Sequence, residues 1–261
     1  MKRLIVWGML LLIGVLGMSS TCYADFEGVP SWAYEANDNV PGFVDKDGKP
    51  IPNIYIKEGM ILVDVYGSWA QDAIVYCAKQ GYLDGMLSRK YWFNPNSYLN
   101  KSELAILLGR KKGIDFSQYK VDFFSDLKVS DFAEYDEAVV GAFKLTPYYV
   151  NWAGSEGIIM GSSKGVFNDD SITREEAATI IDRYIAKNTS LYDNIKLDNS
   201  LSFKDENEIS SWAKESVERL SKIKLFNGDE KGFFNPQQNI SREEICQIIF
   251  NLAKKQNSNS L

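Results

Sequence analysis

The chain has 261 residues, an aromatic content of 13% and a formal net charge of −6, with no histidine at all. That length and aromatic share suffice for a sizeable core and exclude a disordered chain, while the acidic balance excludes nucleic acid as a partner, since no basic patch offsets phosphate repulsion. The missing histidine excludes His-based triads and zinc sites, and nothing in the composition asks for a cofactor.

Met1-Lys2-Arg3 followed by the apolar run Leu4 to Met18 reads as a signal peptide: the run is too short to span a bilayer, and Cys22-Tyr23-Ala24 supplies small residues at minus three and minus one. Lipidation of Cys22 competes poorly, because Ser19-Ser20-Thr21 lacks the leucine and the small residue such a site needs. Residues 1–24 are therefore expected to be removed, leaving an exported chain with no membrane segment. Residues 25–59 follow as an extended lead-in with Pro30, Pro41, Pro50 and Pro52 and no strong period. Its Asp45 to Gly48, "DKDG", lacks the remaining ligands of a calcium loop and reads as a turn.

Residues 60–118 form the first of three related units. "LVDV" with Asp64 leads into "SWAQDAIVYCAKQG", where Ser68 is a natural N-cap and Trp69 opens a helix; "GYLDG" then ends at Gly85, and "WFNPNSYLNKSE" carries Phe93 and the helix start at Asn100. Residues 119–198 repeat the order with Asp126, an additional short helix from Asp131, Leu145 in place of the tryptophan, Thr146 as cap, Gly161, Phe167 and Thr173. Residues 199–257 do so again with Asp205, Ser211-Trp212, Gly228, Phe234 and Ser241. The period is about seventy residues, each unit being helix, glycine loop, helix. Cys77 and Cys246 fall within apolar helical patterns and read as two buried thiols, a disulfide remaining open because sequence does not set their Cα separation. The polar C-terminus reads as frayed, and the repeats leave no room for a separate enzyme domain.

Each second helix opens with a capping box: Asn100 with Glu103, Thr173 with Glu176, and Ser241 with Glu244. Between cap and glutamate stands a basic residue each time, Lys101, Arg174 and Arg242, at the positive end of the helix dipole where a cation is disfavoured. Gly85, Gly161 and Gly228 suit a positive-φ turn that stops a helix. A single unit has too little core to stand alone, so the apolar stripes, such as Ala177, Ile180, Ile181, Tyr184 and Ile185, are expected to be buried between repeats.

Ile172-Thr173-Arg174-Glu175-Glu176, preceded by Phe-Asn and a glycine loop and present in three register-matched copies, resembles the S-layer homology family. The resemblance implies a mainly α fold, three helix-loop-helix repeats forming a pseudo-threefold spindle around a central helix bundle. It also implies attachment to the bacterial envelope by binding anionic, pyruvylated secondary cell-wall polysaccharide in grooves between repeats. The family's binding arginine maps onto Arg174 and Arg242 with Lys101 at the first-repeat position, its tryptophan onto Trp69 and Trp212, and its acidic residue onto Asp64, Asp126 and Asp205. The chemistry is coherent: a guanidinium takes a ketal carboxylate bidentately, free helix-terminal amides add donors, and an indole covers a sugar face. Lys101 lacks the guanidinium fork and Leu145 removes one aromatic, so the three grooves are expected to differ.

Simpler readings stand beside this one. Arg174 and Arg242 can pair with an acid such as Asp126 or Asp205 and join repeats; the tryptophans can be core; the aspartates are more naturally loop organisers than ligands. The alternative function is a structural or protein-interaction module of a surface layer, with surface-layer proteins as partners and little carbohydrate binding. A glycan-cleaving enzyme needs a carboxylate pair that nothing here singles out, so no catalytic residue is assigned. N-terminal sequencing of the exported protein is expected to begin at Asp25.

Overall fold

The computed structural model describes residues 43–44, 50–51, 55–57, 60–62, 64–65, 67–83, 93–115, 119, 123–127, 146–161, 165–193, 196 and 202–258. The signal peptide, the turn at Asp45 to Gly48, the helix expected from Asp131, and Gly85 and Leu145 lie outside the described residues. The chain divides into two compact units, Met1–Ile54 and Tyr55–Leu261. In the first, β1 (Phe43–Val44) pairs antiparallel with β2 (Pro50–Ile51). In the second, β3 (Tyr55–Lys57) pairs with β4 (Met60–Ile61) and packs against the first helix, so the end of the lead-in does meet the first repeat.

Helices dominate the remainder of the second unit, as the sequence periodicity predicts. They are α1 (Gln71–Lys79), α2 (Lys101–Lys112), α3 (Thr146–Ser155), α4 (Arg174–Asn188), α5 (Lys214–Lys222) and α6 (Arg242–Ser258). The expected caps Ser68 and Ser211 do not stand next to their helices. α1 and α5 begin two residues beyond each tryptophan, with Ala70 and Ala213 at the cap position, so Trp69 and Trp212 sit in a preceding turn. The capping boxes of α2, α4 and α6 do form: Glu103, Glu176 and Glu244 accept the main-chain amides of Asn100, Thr173 and Ser241 at 3.0, 2.8 and 2.8 Å.

The three box helices start from one closed ring of main-chain hydrogen bonds. The amide of Leu99 donates to Ile240, that of Ile240 to Ile172, and that of Ile172 back to Leu99, at 2.9, 3.1 and 2.9 Å. A second cycle runs in the opposite sense at the first residue of each helix: the amides of Lys101, Arg174 and Arg242 donate to the carbonyls of Asp170, Gln238 and Ser97 in the next repeat. One residue further, Glu175 donates to Pro236 and Glu243 to Pro95, while Ser102 donates to the Asp169 carboxylate. The first-turn amides are thus occupied by the neighbouring repeat. They are not free donors for an anion, contrary to expectation, because a helix terminus meeting a loop must satisfy its orphan amides there.

Helix packing obeys the same cycle. α2 packs against α3 of the second repeat, α4 against α5 of the third, and α6 against α1 of the first. The expected stripe of α4 is buried, but Ala178, Thr179 and Asp182 are buried too, so the helix is enclosed on more than one face. Gly109 of α2 allows the rings of Tyr149 and Trp152 to approach, since a Cβ there would overlap Tyr149. Between α4 and α5, buried Asp182 accepts from Arg219 Nε and Nη2 at 2.8 and 2.7 Å and from Ser216 Oγ at 2.8 Å. Between α1 and α6, Cys77 and Cys246 are both buried free thiols, with Cys77 Sγ 3.8 Å from the Cys246 carbonyl oxygen.

The three aspartates play one part each time. Asp64 accepts from the amides of Phe93 and Asn94 at 2.9 and 2.6 Å, Asp126 from Phe167 and Asn168 at 2.7 and 3.0 Å, and Asp205 from Phe234 and Asn235 at 2.8 and 2.7 Å. Each clamps a loop whose asparagine is left-handed, with φ of 54, 52 and 59°. Slight desolvation of the exposed Asp126 works against its ionisation, yet the amides of Asn168 and Phe167 hold its carboxyl below the usual range. The expected positive-φ role of the loop glycines falls elsewhere. Gly161 and Gly228 do not have positive φ; they are small because a Cβ would meet the Val166 carbonyl oxygen at 2.6 Å or the Phe203 ring at 3.1 Å. The left-handed helix stop comes four residues earlier, at Gly81, Gly157 and Lys224.

Two outcomes are expected in chemical denaturation. Asp205→Ala strands the Phe234 and Asn235 amides and should cost about 2–4 kcal/mol, with Asp205→Asn intermediate. Lys224→Gly relieves a left-handed lysine, φ 55°, and should stabilise by about 0.5–1 kcal/mol.

Candidate functional site

The basic residues at the helix starts reach across the junctions between repeats. Arg174 Nη1 donates to Glu244 Oε1 at 3.1 Å and Nη2 to the Asn227 carbonyl at 2.8 Å, with the guanidinium over the rings of Phe226 and Phe234. Arg242 Nη1 donates to Glu103 Oε1 at 2.7 Å and lies over the Phe93 ring. In both cases the acceptor is the capping-box glutamate of the next repeat: one oxygen holds its own cap, the other the neighbour's arginine. The partners are therefore Glu244 and Glu103 rather than Asp126 or Asp205. This accounts for a cation at a dipole-disfavoured position, because the first-turn amides are already neutralised by carbonyls and a carboxylate waits across the junction. Burial lowers the Arg174 guanidinium, which Glu244 and Asp229 oppose, and burial raises the Glu103 carboxyl against the pull of Arg242.

The third junction is different. Lys101 Nζ donates to the Asn168 carbonyl at 2.9 Å and makes no ion pair with Glu176. An ammonium on a flexible stem cannot hold a carbonyl and a carboxylate in one plane as a guanidinium does. A cavity of about 170 Å³ opens here, lined by Lys101 and Glu176 together with Thr179, Ile180 and Arg183 of α4. Ile159 and Met160 from the loop of the second repeat and Trp212 from the third complete the wall. Trp212 is 55% exposed and Met160 67%. All three repeats thus contribute to one concave surface. Of the residues singled out in the sequence, it brings together Lys101, Trp212 and Glu176.

The other candidates lie apart from this cavity. Trp69 is 63% exposed, and its indole N–H donates to Glu243 Oε1 at 2.8 Å, while Ser68 Oγ donates to the other oxygen at 2.6 Å. The equivalent of that glutamate in the second repeat, Glu175, accepts from the amide and hydroxyl of Ser210 and from Gln237 Nε2. Trp212 is left without that partner. Asp64, Asp126 and Asp205 hold the loops of their own repeats.

Glu175 and Glu243 are not evident from the sequence as inter-repeat ties, although both come directly after the basic residue in the capping box. Arg183 is equally inconspicuous there. Its signal is nonetheless present: ten residues beyond the cap stand Arg110, Arg183 and Asn251, a basic position kept in two repeats.

Replacement by methionine should rank the three basic residues in thermal and denaturant unfolding. Arg242, 5% exposed and ion-paired, should cost about 3–5 kcal/mol, Arg174 about 1–3, and Lys101 no more than about 0.5.

The sequence also has known relatives. The family model described as "S-layer homology domain" matches residues 202–246, the span from the Asp205 clamp through Trp212 and the Phe234 loop into the third capping box. Similar curated proteins include "Exoglucanase XynX" of Acetivibrio thermocellus, 30% identical over 208 residues that make up 79% of this chain and 17% of that one. "Amylopullulanase" of Thermoanaerobacterium thermosulfurigenes is 31% identical over 193 residues, 74% of this chain and 9% of that protein. "Cell surface glycoprotein 1" of Acetivibrio thermocellus is 25% identical over 175 residues, 65% and 7% of the respective chains. The chain spans less than a fifth of the length of these relatives. On these matches and their clamp, loop and capping box, residues 202–246 are an S-layer homology domain.

Proposed function

We propose that the chain is a non-catalytic anchoring module, exported to the bacterial cell surface, that holds to the cell wall by binding an anionic secondary cell-wall polysaccharide bearing pyruvate ketals. The observation that carries this is the cavity at the open junction, where two cations and an exposed indole meet in an otherwise acidic protein. The enzyme names of two relatives do not extend to this chain, which matches only a small share of each. A relative named a cell surface glycoprotein supports the location.

Residues 60–118, 119–198 and 199–257 act as the three repeats of a pseudo-threefold spindle. In this reading Arg174 and Arg242 serve mainly to lock two junctions, Trp69 presents a second aromatic face, and Asp64, Asp126 and Asp205 shape the loops. Lys101 and Trp212 carry the charge and the stacking surface of the groove that binds. Trp212 has the right chemistry for a sugar ring, a flat apolar face and an N–H that has no acceptor among the described residues.

Sedimentation with purified wall polysaccharide tests the reading. Retention should be strong with the pyruvylated polymer, weak after mild acid removal of the ketal, and reduced by salt, because the charges are partly exposed. Trp212→Ala should weaken retention about tenfold with its melting temperature little changed. Equal retention of both polymers, unmoved by Trp212→Ala, would reject the mechanism.

A further inference from the structure

The open groove contains a cation that the repeat pattern alone does not explain. Among the described residues, Arg174, Arg219 and Arg242 each hold a carboxylate partner. Arg183 lines the cavity, half-buried, and makes no hydrogen bond or ion pair among the described residues. Its chain neighbour Asp182 is turned into the α4–α5 interface, where Arg219 and Ser216 occupy it. Burial lowers the Arg183 guanidinium, with only Asp182 opposing.

The floor of the cavity is one face of α4. Glu176, Thr179, Ile180 and Arg183 stand at the spacing of zero, three, four and seven residues that aligns side chains on a helix. Two turns separate Glu176 from Arg183, about 10 Å along the axis. The Glu176 carboxylate is already committed at one oxygen to the Thr173 amide. With Lys101 and Arg183 facing one glutamate, the cavity carries one positive charge in excess. Its volume of about 170 Å³ leaves room for an acidic substituent between Lys101 and Arg183.

We propose that Arg183 is the specificity-determining residue of this groove: its guanidinium takes the ketal carboxylate of the glycan, with Lys101 as a second cation and Trp212 against the sugar ring. The proposal rests on the anchoring function. A half-buried guanidinium with no partner among the described residues is incompletely satisfied, and an incoming carboxylate supplies two parallel hydrogen bonds. A neutral sugar does not.

The test is the dissociation constant of the full chain for pyruvylated wall polysaccharide and for the same polymer after mild acid removal of the ketal, each variant being checked for an unchanged melting curve. Arg183→Lys keeps the charge and loses the fork, and should weaken binding to the pyruvylated polymer about tenfold, Arg183→Met more, while binding to the stripped polymer stays at the wild-type level. Should Arg183→Met fail to fold, Arg183→Lys alone decides. Wild-type affinity and wild-type preference in the folded variants would overturn the assignment of Arg183 and leave the anchoring reading standing. A wild-type chain that binds neither polymer, or both equally, would overturn the anchoring reading and this proposal together.

Discussion

The rest of the structure depends on a ring of three main-chain hydrogen bonds joining Leu99, Ile172 and Ile240. Closing it fixes three helix starts around one point, and the cost of ordering three distant segments is met by burying the side chains of those same residues. Once the ring is closed, the first turn of each box helix faces the loop of the next repeat. The unsatisfied amides of one element and the carbonyls of another then become each other's partners. The charged contacts at the junctions are consequences of that closure: a basic residue at the helix start is carried to the neighbour's capping glutamate, and a second acid, Glu175 or Glu243, is carried to the turn before the neighbour's first helix.

What could be read in the sequence was local. The capping boxes at Asn100, Thr173 and Ser241 have their glutamates at the right distance to return to the cap, and they form. The apolar stripe of α4 has helical spacing, and it is buried. What could not be read was which repeat's residues meet. Glu244 and Glu103 were legible as box residues but not as partners of Arg174 and Arg242, because the second oxygen of a carboxylate leaves no trace in spacing. Gly161 and Gly228 recur like turn glycines, yet the reason for them is the nearness of Val166 and of the Phe203 ring, which no one-dimensional pattern encodes. The cavity was legible only in part: Lys101 and Trp212 stood out as departures from or matches to a motif, whereas Arg183 is hidden within an amphipathic pattern.

The junctions show how one position can close an interface or leave it open. Where it is arginine, the guanidinium is consumed by the neighbouring glutamate and an aromatic ring, and the junction closes. Where it is Lys101, the ammonium settles on a carbonyl, the glutamate across from it is released, and space is left. The lysine departure therefore has a different meaning from a weakened copy of a binding arginine. It marks the junction at which the interface is incomplete, and an incomplete interface is where a ligand can supply what is missing.

Because the ring is made by peptide groups, it is indifferent to which side chains its residues carry, provided they are apolar and fit. Duplicated segments held this way are free to diverge: one copy can exchange a cation, another an aromatic, and the assembly still closes. What keeps the three junctions alike is then separate from what keeps the fold. Closure of the scaffold and the chemistry of its contacts are then set by different atoms of the same residues.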